Sequence, residues 1–297
     1  MARCLHQTCG DPIGAFPFGE NVLSFGLLLL ISGVAGFVGA MSGMGGGVVL
    51  IPALTLLGVD IKHAIAVSIV SVIATSSGSA SAYVRDRITN LKVGMFLEMF
   101  TILGALVGAA ITLSSGSQFL FIAFGVVLLM SWGTLFLRRH QKWQAAEHQD
   151  AFSHWLELEG SYYDQAAHQT VAYRGTRAYL GGPLMFCAGF VAGLLGIGAG
   201  ALKVLIHDLV MGLPPKVSTT TSNLIIGVTA LSGASVYFAQ GLLDPRMVAP
   251  VILGIVPGAL IGTRLLVRLR NRAVRGFFMV VLVVLGVEMI VRGIMGV

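Results

Sequence analysis

Two glycine-rich breaks interrupt apolar segments of this chain, and their composition and spacing suggest a chemical use. The first break reads GMGGG over residues 43–47, and a similar break, GIGAG, occupies residues 196–200. The apolar run after the first break, 48–57, would form a helix of about 15 Å, roughly half of the ~30 Å hydrocarbon core of a bilayer. A helix that begins in mid-membrane presents unpaired N–H groups and the positive end of its dipole, which suit an anion in a protein-lined cavity.

The glycines of both breaks are therefore predicted to form part of an anion-binding site, because they let backbone approach a ligand closely. The alternative is that they only allow helices to pack tightly, as Gly104 and Gly108 are expected to do. Consecutive glycines exceed what a packing face needs, which favours the binding interpretation. The predicted contributors are Gly43, Gly45, Gly46, Gly47, Gly196, Gly198 and Gly200.

Long segments that follow the breaks carry polar side chains unusual in a membrane. Hydroxyl and amide groups can donate hydrogen bonds to an oxyanion without adding charge. The alternative is that they bond to the backbone and hold helices together. The side chains predicted to bind substrate are Ser68 and Thr75 in the first half of the chain and Thr220, Thr221, Ser222 and Asn223 in the second.

Four ionisable side chains fall within or beside apolar segments, where such groups are rare and usually functional. Lys203 follows the second break by one helical turn and would add a direct charge contact to an anion. The alternatives for Lys203 are snorkelling to the cytoplasmic surface and a pair with Asp208. His207, Asp208 and Glu98 are the candidate carriers of a coupling proton, and Glu98 is expected near the membrane interface.

The composition is that of a polytopic helical membrane protein. The chain is 56% hydrophobic and 11% charged, with a mean hydropathy of +0.87, whereas soluble domains are about 25% charged. The net charge of +6 comes from basic residues in short segments between apolar runs, which is typical of cytoplasmic loops and not of a nucleic-acid site. The cysteines and histidines show no metal-ligand spacing, so no cofactor or metal is expected, and pairing of Cys4 with Cys9 is left open.

The chain consists of two copies of one unit. Matching positions include Gly58 and Gly212, Lys62 and Lys216, Thr75 and Thr229, Tyr83 and Tyr237, and Gly104 and Gly258. Each half is predicted to contain a first helix (22–41 and 180–194), a short helix (48–57 and 201–211) and three long helices (62–84, 92–112 and 118–137; 216–239, 246–266 and 273–294). The predicted units are an extracytoplasmic N-terminal segment (1–20), a first transmembrane repeat (21–137), a cytoplasmic linker that is amphipathic or flexible (138–178) and a second transmembrane repeat (179–297).

The positions of the basic loops predict that the two repeats lie in opposite orientations across the membrane. In the first half a basic loop follows the long helix that succeeds the short one, whereas in the second half the arginine-dense loop comes one crossing later. Both chain termini are then outside the cell interior, and each first helix returns to its own side through the short helix. The predicted fold is all-α and polytopic, with two inverted-topology repeats, a design that recurs in secondary transporters.

The repeated pattern resembles the sulfite exporter TauE/SafE family. The resemblance lies in GxGGG followed by a short helix, and above all in GLPPKVSTTTSN at 212–223. It extends over nearly the whole chain except the first twenty residues and the central linker. It implies a membrane transporter of sulfite and of organosulfonates such as sulfoacetate.

The expected function is secondary transport of a small sulfur oxyanion or organosulfonate across the bacterial inner membrane by alternating access. Export is favoured by the inside-negative potential, about 2.3 kcal/mol per charge and 100 mV. The alternatives are an importer or a carrier of another small anion, with proton coupling, and, more distantly, an intramembrane enzyme. An enzyme is not expected, because His207 and Asp208 form the only close catalytic pair. The expected partners are the anionic substrate and the lipid bilayer, with monomer and homodimer both open.

Overall fold

The fold is a bundle of membrane-length helices, seen in a computed structural model that describes residues 25–42, 45–85, 89–137, 149–164, 169–266 and 271–296. The first half contains α1 (Phe25–Ser42), α2 (Gly47–Leu56), α3 (Ile61–Arg85), α4 (Leu91–Ser114) and α5 (Ser117–Leu137). The linker contains α6 (Ala151–Trp155), β1 (Glu159–Asp164) and β2 (Gln169–Arg174). The second half contains α7 (Ala178–Leu195), α8 (Gly200–Leu205) with a π-helical turn (Ile206–Val210), α9 (Pro215–Ala239), α10 (Pro245–Leu266) and α11 (Asn271–Met295).

Six helices within the described residues are long and apolar enough to cross a membrane, which confirms the all-α polytopic class. The first helix and α2 are shorter apolar segments. Large apolar side chains face outward, as with Met95 and Leu103 on α4, which are 71% and 57% exposed. An outward apolar surface of this kind is stable in lipid but not in water.

Close helix pairs, each joining the two halves of the chain, form the frame of the bundle. The first helix packs along α10, α4 packs along α7, α5 packs along α11, and α3 packs along α9. Glycines make the tightest of these contacts. A Cβ at Gly104 would lie 2.1 Å from the Phe186 carbonyl oxygen, and one at Gly108 would lie 2.1 Å from that of Phe190. These two glycines therefore serve helix packing, as predicted.

Equivalent helices of the two halves run in opposite directions where they touch. In the α5–α11 pair, Gly125 lies against Gly286 and Gly293 lies against Ile122. From one contact to the next, the residue numbers rise along α5 and fall along α11, so the pair is antiparallel. Contacts of Gly227 with Ser76 and of Gly233 with Ile69 make α3 and α9 antiparallel in the same way. An inverted relation between the repeats requires this arrangement, whereas their orientation across the bilayer stays a prediction.

The second part of the linker is folded, whereas the sequence predicts an amphipathic or flexible connector. Strands β1 and β2 form an antiparallel hairpin in which Gly160 is paired with Tyr173. The Asp150 side chain accepts a hydrogen bond from the Ser153 N–H and caps α6. Alternating aromatic and polar residues in EGSYYD and QTVAYR are the β-strand signal that the prediction did not use.

The hairpin is attached to the helix ends that surround it. Asn90, the N-cap of α4, donates from its side-chain amide to the Tyr173 hydroxyl at 3.0 Å. Burial raises the pKa of the Tyr173 phenol, and the Asn90 bond opposes this shift. The Thr176 N–H donates to the Met211 carbonyl, just after the π-helical turn. The linker thus covers the ends of α4, α7 and α8 on the side where α9 begins.

Candidate functional site

The two glycine breaks touch each other in the middle of the molecule. The helix α7 ends at Leu195, and Gly196 turns the chain with φ of +66°. On the other side, α2 begins at Gly47. A Cβ at Gly47 would lie 2.7 Å from the Gly196 carbonyl oxygen, so only glycine permits this approach. The structure therefore brings the two predicted halves of the site together.

Hydroxyl groups from three helices bind the carbonyl groups that the second break leaves without helical partners. The Tyr237 hydroxyl donates to the Gly193 carbonyl at 2.7 Å. The Thr112 hydroxyl donates to the Leu194 carbonyl at 2.7 Å, and the Ser68 hydroxyl donates to the Gly196 carbonyl at 3.0 Å. Buried carbonyls at a helix end need such partners in a membrane. Ser68, predicted to bind substrate, here stabilises the break itself.

A small cleft lies beside the start of α2. Gly45, which directly precedes this helix, adopts φ of +82°. The Gly46 carbonyl accepts hydrogen bonds from the Val49 and Leu50 N–H groups, so the first turn is formed, and no side chain caps it. The cleft is lined by Gly39, Ala40, Gly45, Thr75, Ser76, Asn223 and Ile226. Three of the predicted site residues, Gly45, Thr75 and Asn223, thus share one cleft.

The other polar residues at the start of α9 face different neighbours, because successive helical side chains point about 100° apart. The Thr220 hydroxyl donates to the Lys216 carbonyl, and the Thr221 hydroxyl accepts from the Asn90 N–H. Ser222 lies 3.4 Å from the Gly200 carbonyl, at the start of α8. Asn223 is the member of this run that lines the cleft. Gly43 lies outside the described residues, and a substrate role for Thr220, Thr221 and Ser222 stays a prediction.

The remaining glycines of the breaks shape the chain in other ways. Gly198 adopts φ of +70°, and Ala199 after it also has a positive φ, of +48°. Such dihedrals turn the chain sharply before Gly200, the first residue of α8. Gly46, in the other break, lies near the Ser71 hydroxyl and the Ile255 side chain. The residues of both breaks therefore define the start of the two short helices.

A second polar cluster connects three helices, α4, α8 and α9. The Lys203 ammonium on α8 donates to the Thr229 hydroxyl oxygen on α9 at 2.7 Å. The Thr229 hydroxyl also lies 3.1 Å and 3.4 Å from the two carboxylate oxygens of Glu98 on α4. The Thr101 hydroxyl lies 3.0 Å from the same carboxylate. This cluster is named the Lys203–Glu98 cluster.

The Lys203–Glu98 cluster corrects two sequence interpretations. Lys203 is fully buried, so it does not snorkel to the surface, and its ammonium contacts Thr229 and not Asp208. Glu98 is buried by protein, 8% exposed, and its depth in the membrane stays a prediction. The reason is that α4 and α9 pack against each other and enclose α8 between them and the breaks. This enclosure depends on contacts between distant segments, which the sequence pattern does not report.

His207 and Asp208, the other candidate proton carriers, lie in the π-helical turn after α8. His207 is fully buried, with its ring Nδ1 3.3 Å from the Ser218 carbonyl oxygen. Since a carbonyl only accepts, Nδ1 carries the proton in this contact. Asp208 is partly exposed. The structure therefore brings neither of them into the hydrogen bonds of the Lys203–Glu98 cluster.

The far end of α2 is held by a charged pair on α11. The Arg292 guanidinium on α11 donates to the Thr55 carbonyl at 3.0 Å, in the last turn of α2. Glu288 lies 2.9 Å from the same guanidinium, and both side chains are about a quarter exposed. A cation at a helix C-terminus stabilises its free carbonyls. The pair thus fixes the position of the short helix.

Sequence reasoning missed several residues that build the site. Thr112, Ser76 and Thr101 were not singled out, and Tyr237 and Thr229 were noted only as repeat positions. The usable signal was that Tyr83 matches Tyr237 and Thr75 matches Thr229, since a polar residue kept in both halves at membrane depth has a packing or binding role.

Comparisons with known proteins agree with the sequence resemblance. The sequence profile of the family described as Sulfite exporter TauE/SafE matches residues 28–289. The chain is similar to "Probable membrane transporter protein YunE" of Bacillus subtilis (strain 168), with 26% identity over 280 residues, 92% of this chain and 99% of that protein. It is also similar to "Probable membrane transporter protein YdhB" of the same organism, with 24% identity over 239 residues, 80% of this chain and 89% of that protein.

No solved structure gives a significant match to this chain. The family match confirms the resemblance drawn from the repeated glycine and Thr/Ser motifs, and it extends through both breaks. With this match over most of its length and six membrane-length helices among its described residues, the chain belongs to the sulfite exporter TauE/SafE family and is a multi-pass membrane transporter.

Proposed function

We propose that this protein exports small sulfur oxyanions or organosulfonates, such as sulfite or sulfoacetate, by binding the anion in the cleft at the start of α2. The main support for this proposal is the position of the cleft beside the N-terminal end of α2, with Thr75 and Asn223 among its lining residues. The positive end of a helix dipole favours an anion. The name of the family supports sulfur anions as the substrate class.

The lining of the cleft supports a small, weakly held anion. Asn223 offers an amide. The Thr75 and Ser76 hydroxyls donate to backbone carbonyls of α3 in this structure and would rotate to donate to an anion. No carboxylate lines the cleft among the described residues, so nothing there repels an anion. Binding through neutral donors also lets the anion leave, which a transporter needs as much as binding.

The architecture supports alternating access as the transport mechanism. Each break belongs to one repeat, and the two breaks meet at Gly47 and Gly196. Antiparallel packing of the equivalent helices α3 and α9 supports two conformations that are related by exchange of the halves. From the positions of the basic loops we further propose that the repeats lie inverted in the bacterial inner membrane, with both termini extracytoplasmic.

Uptake into proteoliposomes tests the proposal. Labelled sulfite, sulfoacetate and sulfate are offered to vesicles that contain the wild-type protein, and saturable flux of at least one sulfur anion is expected. Empty vesicles give the background. Absence of flux for every sulfur anion, with a correctly folded protein, would refute the proposed substrate class.

Asn223→Asp tests the location of the site. The change keeps the shape but puts a negative charge in the cleft, where repulsion at about 4 Å amounts to roughly 4 kcal/mol near a protein surface. We expect uptake at subsaturating anion to fall more than a hundredfold. Thr219→Val is the matched control, because Thr219 is exposed and its hydroxyl bonds only to the Pro215 carbonyl. Wild-type kinetics in Asn223→Asp would place the anion elsewhere.

A further inference from the structure

The Lys203–Glu98 cluster is a buried charged group that the anion cleft does not use. Lys203 is fully buried and Glu98 is 8% exposed, and Thr229 lies between them in hydrogen-bond contact with both. Burying two charges in a membrane protein is unfavourable unless each is compensated. Such a pair therefore needs a functional or structural reason.

The internal repeat shows that the fold does not require charges at these positions. The counterpart of Lys203 in the first half is Leu50, and the counterpart of Glu98 in the second half is Ile252. Leu50 is fully buried, so an apolar side chain fills the equivalent place without a polar partner. The charged pair therefore occurs at only one of the two positions that the repeat makes equivalent, which argues against a purely structural role.

The cluster also occupies a place equivalent to the cleft. Thr75 lines the cleft, and its repeat counterpart, Thr229, is the residue that Lys203 and Glu98 share. Lys203 lies one turn from Gly200, the counterpart of Gly47 at the start of α2. In a conformation in which the halves exchange roles, the anion would therefore lie against Thr229, the counterpart of Thr75, and the Lys203 ammonium lies 2.7 Å from the Thr229 hydroxyl.

We propose that Glu98 binds a proton when the transported anion binds Lys203, so that the protein carries the anion and a proton together. This inference rests on the proposed anion transport and names its coupling ion. In the present arrangement the ammonium and the carboxylate neutralise each other. A monoanion on Lys203 would leave one negative charge in excess, and a proton on Glu98 restores neutrality. The loaded site is then an ammonium, an anion and a carboxylic acid, with no net charge change.

The surroundings of Glu98 contain few other groups that could take this proton. On α8 and the turn after it the titratable groups are Lys203, His207 and Asp208. The His207 Nδ1 contacts the Ser218 carbonyl, its Nε2 is buried without a hydrogen-bond partner among the described residues, and Asp208 is partly exposed. The α9 helix presents Thr229. The α7 helix presents Gly182 and Gly189 to α4, and its Tyr179 and Cys187 are exposed.

This coupling makes transport of a monoanion electroneutral. The membrane potential then neither drives nor opposes the flux, and the direction follows the product of the anion and proton gradients. An anion that accumulates in the cell leaves with a proton down its own gradient.

Gradient-driven uptake of labelled methanesulfonate, a sulfonate with a single charge at any working pH, tests the coupling in proteoliposomes. In the wild type, an outside medium one pH unit more acidic should drive about tenfold accumulation. A potential of 100 mV, inside positive, should drive none. In Glu98→Gln the pH response should disappear. The unloaded site then returns across the membrane with the uncompensated charge of Lys203, so each transport cycle moves one net charge. The same potential should therefore drive accumulation of up to about fifty-fold.

Two further variants separate coupling from folding. Glu159→Gln removes a carboxylate of the linker hairpin that pairs with Arg174, and it should keep the wild-type pH response. The double variant Glu98→Ile/Lys203→Leu copies the apolar residues at the matching positions of the other half, Ile252 and Leu50, and should remain monodisperse and helical but lose flux. Wild-type methanesulfonate flux that follows the potential and ignores pH, or proton-coupled flux in the double variant, would overturn the inference. If methanesulfonate does not move, the organosulfonate part of the proposed function fails, and the same gradients applied to sulfite test the coupling.

Discussion

The contact between the two glycine breaks is tested by the substitution Gly47→Ala. The added Cβ would lie 2.7 Å from the Gly196 carbonyl oxygen, whereas ordinary contact begins at 3.4 Å. The breaks must therefore separate by ~0.7 Å, since backbone lies on both sides of the contact. Overpacking of this kind costs about 1–3 kcal/mol, and alanine recovers less than about 1 kcal/mol through helix propensity. A net loss of about 1–2 kcal/mol is expected.

Two measurements report this change. Thermal unfolding in detergent should show a melting temperature lowered by roughly 2–4 °C for each kcal/mol lost. Sulfite uptake should show kcat/KM reduced about tenfold, because a shifted break weakens anion contacts by about 1.4 kcal/mol. Gly78→Ala on α3 is the control, since a Cβ there meets nothing within 4 Å. If Gly47→Ala transports and melts like the wild type, the contact between the breaks is not required for the site.

Three other predictions concern the framework around the site. Tyr237→Phe removes the donor to the buried Gly193 carbonyl and should destabilise the protein by about 1–3 kcal/mol, measured by thermal unfolding. Gly104→Ala places a Cβ 2.1 Å from a carbonyl oxygen of α7 and should lower stability by about 3 kcal/mol or more, with loss of monodisperse protein in size-exclusion chromatography as the readout. A hydrogen bond from Lys92 holds the pKa of Glu157 below its ordinary value of 4.5. This contact therefore supports the linker fold above that pH and is lost as the pH falls through the lowered pKa. The hydrogen-exchange protection factors of the hairpin amides should fall there, and Lys92→Met should abolish this change.

The helices could be predicted closely because the membrane sets their length and glycine or proline marks their ends. The segment predicted at 62–84 is found as Ile61–Arg85, and the one at 216–239 as Pro215–Ala239. The repeat also supported each helix assignment, because the same pattern of residues occurs in both halves of the chain. The glycines of both breaks predicted a site in a region that contains a cleft, and Gly45 lines this cleft.

The arrangement within the site could not be predicted from the sequence. Which residue of the run that ends at Asn223 faces the cleft depends on the rotation of α9, and a polar run has no apolar stripe to reveal that rotation. The position of Lys203 depends on α4 and α9, which are far from it in the sequence. The hairpin was overlooked because short alternating strands in a polar linker give a weak signal compared with membrane helices.

The glycine-packed pairs determine which parts of the molecule can move as bodies. The pair of the first helix with α10, and that of α4 with α7, each combine a helix from one half with a helix from the other, at backbone contact. Separating the sequence halves would have to break these contacts, whereas moving each pair whole would not. The mechanical units of this transporter therefore cross the boundary of the gene duplication visible in its sequence. The linker hairpin is bonded to the start of α4 through Asn90 and to the segment before α7, so it is attached to the α4–α7 pair.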